Sequence, residues 1–192
     1  MELRLEQMKG NLDVITGPMF SGKSEELLRR IRRAQIANQP VLAFKPKIET
    51  RSLGIFTHSG MSFHFPVHSI EYPNEIFDEI KGNEIICIEE AQFFEDYDIV
   101  TVVQKLVDNG HRVIVTGLDQ TYRQEPFGFM PELLSLADFI VKLRAICVKC
   151  GEDATTTQRL VNGEPASYEG ETILVGAKDS YEARCRNCHE RG

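Results

Sequence analysis

Residues 12–31 of this chain read LDVITGPMFSGKSEELLRRI and carry the strongest structural signal in the sequence. It opens with a short apolar run that stops at a glycine, a pattern typical of a buried strand. Residues 17–24, GPMFSGKS, follow at once and match the pattern GxxxxGK[ST] in full. Apolar residues then recur at helical spacing from Leu27 to Ala34. The stretch therefore predicts a strand, a phosphate-binding loop and a helix in direct succession.

The predicted phosphate-binding loop has a defined chemistry. Its glycines let backbone amides turn inward around phosphate oxygens, and the positive end of the helix dipole adds to the attraction. Lys23 would neutralise charge on the β- and γ-phosphates, and Ser24 would ligate magnesium. The loop thus predicts ATP and Mg²⁺ as cofactors. The residues expected to bind them are Gly17, Pro18, Met19, Phe20, Ser21, Gly22, Lys23 and Ser24.

Two carboxylates end a third predicted strand, EIICIEE at residues 84–90. Four apolar residues bring the chain to the edge of the sheet, and strand alternation then sends Glu89 and Glu90 to opposite sides. One carboxylate would complete the magnesium shell and the other would act as a base. A base that accepts an alcohol proton makes a kinase, whereas a base that positions water makes an ATPase. These residues alone leave both reactions open.

Predicted strands and helices continue to alternate along the chain as far as Arg144. Further strands are predicted at residues 41–44, 111–117 and 139–145, and helices at residues 99–107 and 133–137. Apolar strands that alternate with helices indicate an α/β fold, with a parallel sheet covered on both faces. We therefore expect a nucleotide-binding domain over residues 1–144 and a small metal-binding domain over residues 145–192.

Four of the five cysteines form two pairs, CVKC at residues 147–150 and CRNC at residues 185–188. Four thiolates fill a tetrahedral zinc shell and leave no position for water, which predicts a structural Zn²⁺ site. The fifth cysteine, Cys87, lies in an apolar run and is expected to be an inert core residue. His189 is expected at the surface. The predicted metal ligands are Cys147, Cys150, Cys185 and Cys188.

The charge balance argues against some partners. The 192 residues carry 22 lysines and arginines against 29 acids, a net charge of −7. A basic nucleic-acid face is therefore not expected, because phosphate backbones are bound by clustered positive charge. No stretch approaches the ~20 apolar residues of a membrane span, and we expect a cytoplasmic protein with no membrane partner. The first helix is expected to present four arginines to solvent, namely Arg29, Arg30, Arg32 and Arg33.

Six motifs together resemble the type II, zinc-containing thymidine kinases. They are GPMFSGKSEEL, EEAQFF (89–94), GLDQTYRQEPFG (117–128), VKLRAIC, TTQRL (156–160) and SYEARCRNC. The resemblance covers the chain from about Leu12 to Cys188. It implies transfer of the γ-phosphoryl group of ATP to the 5′-hydroxyl of thymidine or deoxyuridine. It also implies a recombinase-like core, a zinc-anchored lasso over the nucleoside, a homotetramer, and feedback inhibition by thymidine triphosphate (dTTP).

The resemblance also assigns site residues, with Glu90 as the general base. It places Glu89, Gln92 and Arg51 at the nucleotide, and it gives Arg159 a role in supporting the lasso. The lasso backbone that pairs with the base corresponds to Ile173, Leu174, Val175 and Gly176. The other residues implied for the nucleoside pocket are Met19, Gln92, Phe93, Leu118, Tyr122, Phe127, Thr157 and Tyr181.

Two positions depart from the family pattern. The family usually has Asp before its catalytic Glu, where this chain has Glu89, and Asp in its Asp-x-Arg segment, where this chain has Glu49. Each change keeps the charge and lengthens the side chain by one methylene, which alters the reach to a metal by about an ångström.

Two rival functions share the phosphate-binding loop. One is an ATP-driven motor or regulatory ATPase, and the other is a zinc-ribbon binding module that uses ATP as a switch. A motor should carry a basic track for its polymer. The loop at residues 151–184 has only Arg159, Lys178 and Arg184 as cations, which favours the kinase.

Overall fold

The structure is a computed structural model that describes residues 10–48, 54–55, 65–94, 98–172 and 180–192. Its helices are α1 (Lys23–Ile36), α2 (Ile76–Glu79), α3 (Asp98–Asp108) and α4 (Met130–Leu136). Its strands are β1 (Asn11–Thr16), β2 (Val41–Pro46), β3 (Gly54–Ile55), β4 (Phe65–Pro66), β5 (His68–Ile70), β6 (Ile85–Ile88), β7 (Arg112–Gly117), β8 (Phe139–Lys142), β9 (Ala145–Ile146), β10 (Asp153–Ala154), β11 (Thr156–Val161), β12 (Glu164–Pro165) and β13 (Ser180–Arg184). Short 3₁₀ turns span Pro73–Glu75 and Ala91–Phe93. None of the helices in these ranges is long and apolar enough to cross a bilayer.

A six-stranded sheet with the order β5-β2-β6-β7-β1-β8 forms the centre of the molecule. All of its strand pairs are parallel, which confirms the predicted α/β class. One apolar cluster packs α1 against the sheet through Leu27, Leu28 and Ile31. A second cluster packs α3 and α4 against the sheet through residues such as Val103 and Leu133. The carboxyl ends of β1, β6 and β7 therefore lie at one edge, between the two helical layers.

Three local predictions need correction. The third predicted strand ends at Ile88, before the two carboxylates, and the strand that begins at Phe139 ends at Lys142 rather than Ala145. Arg30 is not a solvated residue, because its guanidinium contacts the buried Asp13 carboxylate at 2.5 Å. A helix that packs on a sheet brings such a side chain over the neighbouring strand, which periodicity along the helix alone does not reveal.

The chain beyond β8 forms small antiparallel sheets. Strands β12, β11 and β13 make one sheet of three, and β9 pairs with β10 beside the cysteines. Asn162 and Gly163 have φ of 52° and 87° and close the tight turn between β11 and β12. The proposed division between residues 144 and 145 falls between β8 and β9 and stays a prediction.

Candidate active site

The phosphate-binding loop leaves β1 through a turn that only glycine fits. Gly17 has φ of 142°, and a methyl group on it would lie 2.5 Å from the Leu143 carbonyl oxygen. Gly22, with φ of 84°, ends the loop and has no side chain to cap the helix. The first amide groups of α1 therefore face the loop without a side-chain acceptor from Gly22, as an anion site requires.

Lys23 lies over this loop and donates from Nζ to the Pro18 carbonyl at 2.8 Å. Burial lowers the pKa of Lys23, and the carboxylates of Glu90 and Asp119 act in the opposite direction. The Lys23 ammonium therefore lies near acidic side chains and donates to a backbone carbonyl oxygen. A phosphate oxygen could take the place of that carbonyl as the acceptor.

Ser24 and Glu89, the two residues predicted to hold magnesium, lie in contact. The Ser24 hydroxyl donates to Glu89 Oε1 at 2.8 Å, and the Glu89 side chain is buried. A hydroxyl and a carboxylate oxygen at this separation are oxygen ligands of the kind that Mg²⁺ takes. The extra methylene of Glu89 therefore does not prevent its carboxylate from reaching Ser24.

The backbone at Glu90 differs from the predicted strand. The strand has already ended, and Glu90 has a left-handed backbone with φ of 53° and ψ of 41°. Its Oε2 accepts a hydrogen bond of 2.5 Å from Gln92 Nε2. The turn at Glu90, rather than strand alternation, therefore sets the direction of its side chain.

Gln92 was expected at the nucleotide and in the nucleoside pocket, but its amide bonds to protein groups on both sides. Its Oε1 accepts from the Leu118 amide at 3.1 Å while its Nε2 donates to Glu90. Because one amide end needs a donor and the other an acceptor, these contacts fix which way the amide faces. Gln92 therefore holds the Glu90 carboxylate at the end of β7.

Two glycines enclose Gln92, and sequence reasoning did not single them out. A methyl group on Gly117 would lie 2.8 Å from Gln92 Oε1. Gly128 has φ of 51°, and a methyl group there would lie 2.5 Å from the Gln92 carbonyl oxygen. The motif GLDQTYRQEPFG contains both glycines at its ends. Gly117 also faces Met130, whose sulfur would lie 2.6 Å from such a methyl group, so Gln92 and Met130 together leave no room for a side chain there.

Aromatic and apolar side chains form a wall beside Glu90. The rings of Phe93 and Phe127 meet edge to face at 5.6 Å between centroids. Thr157, on β11, accepts a hydrogen bond of 3.0 Å at Oγ1 from the Met19 amide in the phosphate-binding loop. Leu118 follows β7, and its backbone amide donates a hydrogen bond to Gln92 Oε1 at 3.1 Å. Phe93 is thus brought against Phe127, and Thr157 is brought against the phosphate-binding loop.

Tyr122 connects this wall to the segment at residues 166–171. Its hydroxyl donates to the Ser167 carbonyl at 2.9 Å. The Arg159 guanidinium lies 5.2 Å from the Tyr122 ring centroid and donates to the Glu171 carbonyl at 2.7 Å. Arg159 is buried, so this arrangement fits its expected role as a support for the chain that follows Glu171.

The other predicted site residues are placed unevenly. Tyr181 pairs with Arg159 between β13 and β11 and is half-buried. Arg51 and the lasso backbone at residues 173–176 lie outside the described residues.

Asp119 is a site residue that sequence reasoning missed. Its buried carboxylate accepts from Lys142 Nζ at 2.7 Å and acts on the pKa of Lys23. Its position just after a buried strand is the same signal that singled out Glu89, and it could have been found in that way.

The four predicted cysteine ligands converge. Their sulfur atoms all lie within 4.8 Å of one another, and Cys150 Sγ is 3.7 Å from Cys185 Sγ. A tetrahedron with zinc–sulfur bonds of about 2.3 Å has edges of about 3.8 Å, so the sulfur positions fit a metal ion. The hydrogen bond with Cys185 raises the pKa of Cys188 to about 12, as expected where crowded thiols cannot all ionise without a cation.

The two remaining predictions at cysteine and histidine have different outcomes. Cys87 is fully buried, and burial raises the pKa of its thiol to about 12, which confirms an inert core residue. His189 was expected at the surface, but it is half-buried and its Nε2 lies 2.9 Å from the Tyr122 carbonyl oxygen. Burial lowers its pKa, and a neutral ring that donates from Nε2 suits a carbonyl acceptor.

The site has the features of a phosphate-loop nucleotide-binding protein. They are the GPMFSGKS loop after β1, the Glu89 carboxylate in contact with Ser24, and a second carboxylate, that of Glu90, beside aromatic side chains. Comparison with known proteins gives its family. The family described as thymidine kinase matches residues 10–189. A thymidine kinase of Coprothermobacter proteolyticus is 52% identical over 183 residues, covering 94% of this chain and 91% of the relative. A thymidine kinase of Halobacterium salinarum is 48% identical over 186 residues, covering 94% of each chain. The chain belongs to the thymidine kinase family.

Proposed function

We propose that this chain transfers the γ-phosphoryl group of ATP to the 5′-hydroxyl of thymidine, giving thymidine monophosphate and ADP. Its membership of the thymidine kinase family supports a kinase acting on this nucleoside. The observation that carries the reaction is the position of Glu90, which Gln92 holds beside an apolar wall at the edge that carries Lys23. Deoxyuridine, which lacks only a methyl group on the base, is proposed as a second acceptor.

The phosphate-binding loop would bind the triphosphate. Backbone amides of residues 17–24 and the start of α1 would surround the phosphate oxygens, while Lys23 would neutralise their charge. Ser24 and Glu89 would hold Mg²⁺, which supplies charge neutralisation at the phosphates when bound. Arg51 is proposed as a further phosphate contact by resemblance.

Glu90 would act as the general base. The 5′-oxygen forms a bond to the γ-phosphorus as the bond between that phosphorus and the bridging oxygen of ADP breaks. The hydroxyl proton passes to a Glu90 carboxylate oxygen. Gln92 would keep that carboxylate directed at the hydroxyl, because its amide is fixed from the other side by Leu118.

The nucleoside would lie against the wall formed by Phe93, Leu118 and Phe127, with Met19 and Thr157 at its base end. Tyr122 and Arg159 would hold the chain that leads into the lasso, and Tyr181 would cover the base. The lasso backbone at residues 173–176 would then read the polar edge of the base, since a site with fixed donors and acceptors rejects bases that leave them unpaired.

Zn²⁺ is proposed to be structural, because four sulfur ligands complete its shell. It would hold a lasso domain at residues 145–192 against a nucleotide-binding domain at residues 1–144. A homotetramer, feedback inhibition by dTTP and a cytoplasmic location are proposed through the family resemblance.

The test is ADP release measured with ATP and Mg²⁺, with and without thymidine. Release that depends on thymidine, with thymidine monophosphate formed in equal amount, supports the kinase. Release that ignores nucleosides but rises with DNA or RNA would instead favour the motor or ATP-switch reading. A parallel measurement with deoxyuridine and deoxycytidine reports the choice of base.

A further inference from the structure

We infer that His189 is a positioning residue that joins the four-cysteine site to the nucleoside pocket. The inference rests on the proposed function, because it is the nucleoside pocket that His189 would hold. His189 directly follows Cys188, and its amide donates to the Cys185 carbonyl at 3.0 Å. His189 is therefore joined to two of the four cysteines, to Cys188 by the peptide bond and to Cys185 by a hydrogen bond.

The side chain of His189 extends away from the cysteines to the turn that carries Tyr122. Its Nε2 is 2.9 Å from the Tyr122 carbonyl oxygen, and the ring is half-buried. A carbonyl oxygen only accepts, so Nε2 carries the proton in this contact. Removal of the ring would leave the Tyr122 carbonyl without this donor. An unsatisfied acceptor that is partly excluded from water costs more free energy than the hydrogen bond itself contributes.

A contact to the Tyr122 backbone affects more than one part of the candidate pocket. Its side chain is 4% exposed, and its hydroxyl donates to the Ser167 carbonyl at 2.9 Å. A shift of the Tyr122 backbone would therefore move the pocket wall and the segment that leads to the lasso together.

A second connection runs parallel to this one through Gln158. The Gln158 side chain accepts from the Glu190 amide at 2.8 Å and donates to the Glu190 carbonyl at 3.1 Å. Gln158 is buried on β11, next to Thr157, which contacts the phosphate-binding loop at Met19. The two residues that follow the last cysteine are thus attached to both candidate pocket elements, His189 to the Tyr122 backbone and Glu190 to Gln158.

The test compares His189→Ala, His189→Gln and His189→Asn with the wild type. The Gln amide nitrogen lies as many bonds from Cβ as Nε2 of the histidine, whereas the Asn amide is one bond shorter. His189→Ala and His189→Asn should raise the thymidine Kd, measured by calorimetry, roughly 5- to 30-fold. His189→Gln should restore it to within about threefold. The ATP KM and the metal content per chain should stay unchanged in all three.

His111→Ala is the matched control. His111 is also half-buried, and its Nδ1 lies 3.1 Å from the Glu84 carbonyl oxygen, but it precedes β7 while Tyr122 follows that strand. The control should leave thymidine binding unchanged. Combining His189→Ala with Cys185→Ser should raise the thymidine Kd by much less than the product of the two single effects, because both changes act through one connection.

The outcomes separate this inference from the proposed function. If the wild type releases no ADP in response to thymidine, the proposed function fails. If the wild type does so and His189→Ala binds thymidine normally, only the inference fails. Loss of metal in His189→Ala, an equal rise in the thymidine Kd and the ATP KM, or independent effects of His189→Ala and Cys185→Ser would also overturn it.

Discussion

Replacement of Glu90 by Gln would remove a proton acceptor while it keeps the size and reach of the side chain. The amide oxygen of the new side chain can still accept from Gln92 Nε2, and the left-handed backbone at φ of 53° costs about the same for either residue. We therefore expect the Glu90→Gln variant to fold with nearly the stability of the wild type. The change isolates the chemistry of the carboxylate from its structural contact.

The expected loss is in turnover. General-base catalysis is typically worth about 10² to 10⁴ in rate, so kcat should fall by that factor, equivalent to about 2.7 to 5.4 kcal/mol of transition-state stabilisation. ATP binding should be retained or slightly tighter. Glu90 is the acid with the largest influence on the pKa of Lys23, and its charge repels the phosphates that Lys23 would bind.

The assay measures thymidine-dependent ADP release under saturating substrates, with ATP affinity determined separately by calorimetry. The matched control is Glu132→Gln, which neutralises an exposed carboxylate in the first turn of α4. A Glu90→Gln variant with turnover within about threefold of the wild type would refute the assignment. The proton acceptor would then have to be another group, with Asp119 the next carboxylate near Lys23.

The parts of the site that could be predicted from the sequence are those set by short spacing. Eight residues of the phosphate-binding loop and the two cysteine pairs carry their geometry within a turn or a few residues of chain. Apolar strands in alternation with helices then place Lys23 and Glu89 at the same edge, because parallel strands end together. The contact between Ser24 and Glu89 follows from that arrangement even though 65 residues separate them.

The parts that could not be predicted depend on contacts between distant segments or on a local backbone choice. The Gln92 amide reaches Leu118 across 26 residues, and His189 reaches Tyr122 across 67. Neither pair belongs to a sequence motif whose spacing would predict the contact. The left-handed Glu90 is a second kind of failure, since strand periodicity gives no sign of where a strand stops. Arg30 is a third, because helical periodicity does not show that a neighbouring strand holds a buried acid, Asp13.

Lys23→Ala should weaken ATP binding and turnover together without unfolding the protein, so unchanged ATP affinity by calorimetry in a folded variant would contradict the phosphate-binding loop. The hydrogen bond from Arg29 lowers the pKa of Glu26 to about 2 from 4.5, so this ion pair stabilises the fold above pH 4.5, and the effect is lost as the pH falls toward 2. Glu26→Gln should therefore lower the free energy of unfolding by about 1 kcal/mol at pH 7 and by almost nothing near pH 2, as measured by urea titration. Finally, Cys185→Ser should raise the thymidine KM far more than the ATP KM. The thiolates lie at the two ends of residues 151–184, so we expect metal loss to loosen that segment, while the phosphate-binding loop has its own support in β1 and α1. Discrimination against cytosine nucleosides should weaken as well. In an ordered site, the wrong base leaves a buried polar group of the protein without a partner, and that cost disappears when the backbone is loose. Paired titrations of ATP and thymidine on protein that circular dichroism shows to be folded provide the check. Equal loss of both affinities would mean that the metal supports the whole fold, and unchanged thymidine affinity would mean that this segment does not bind the base.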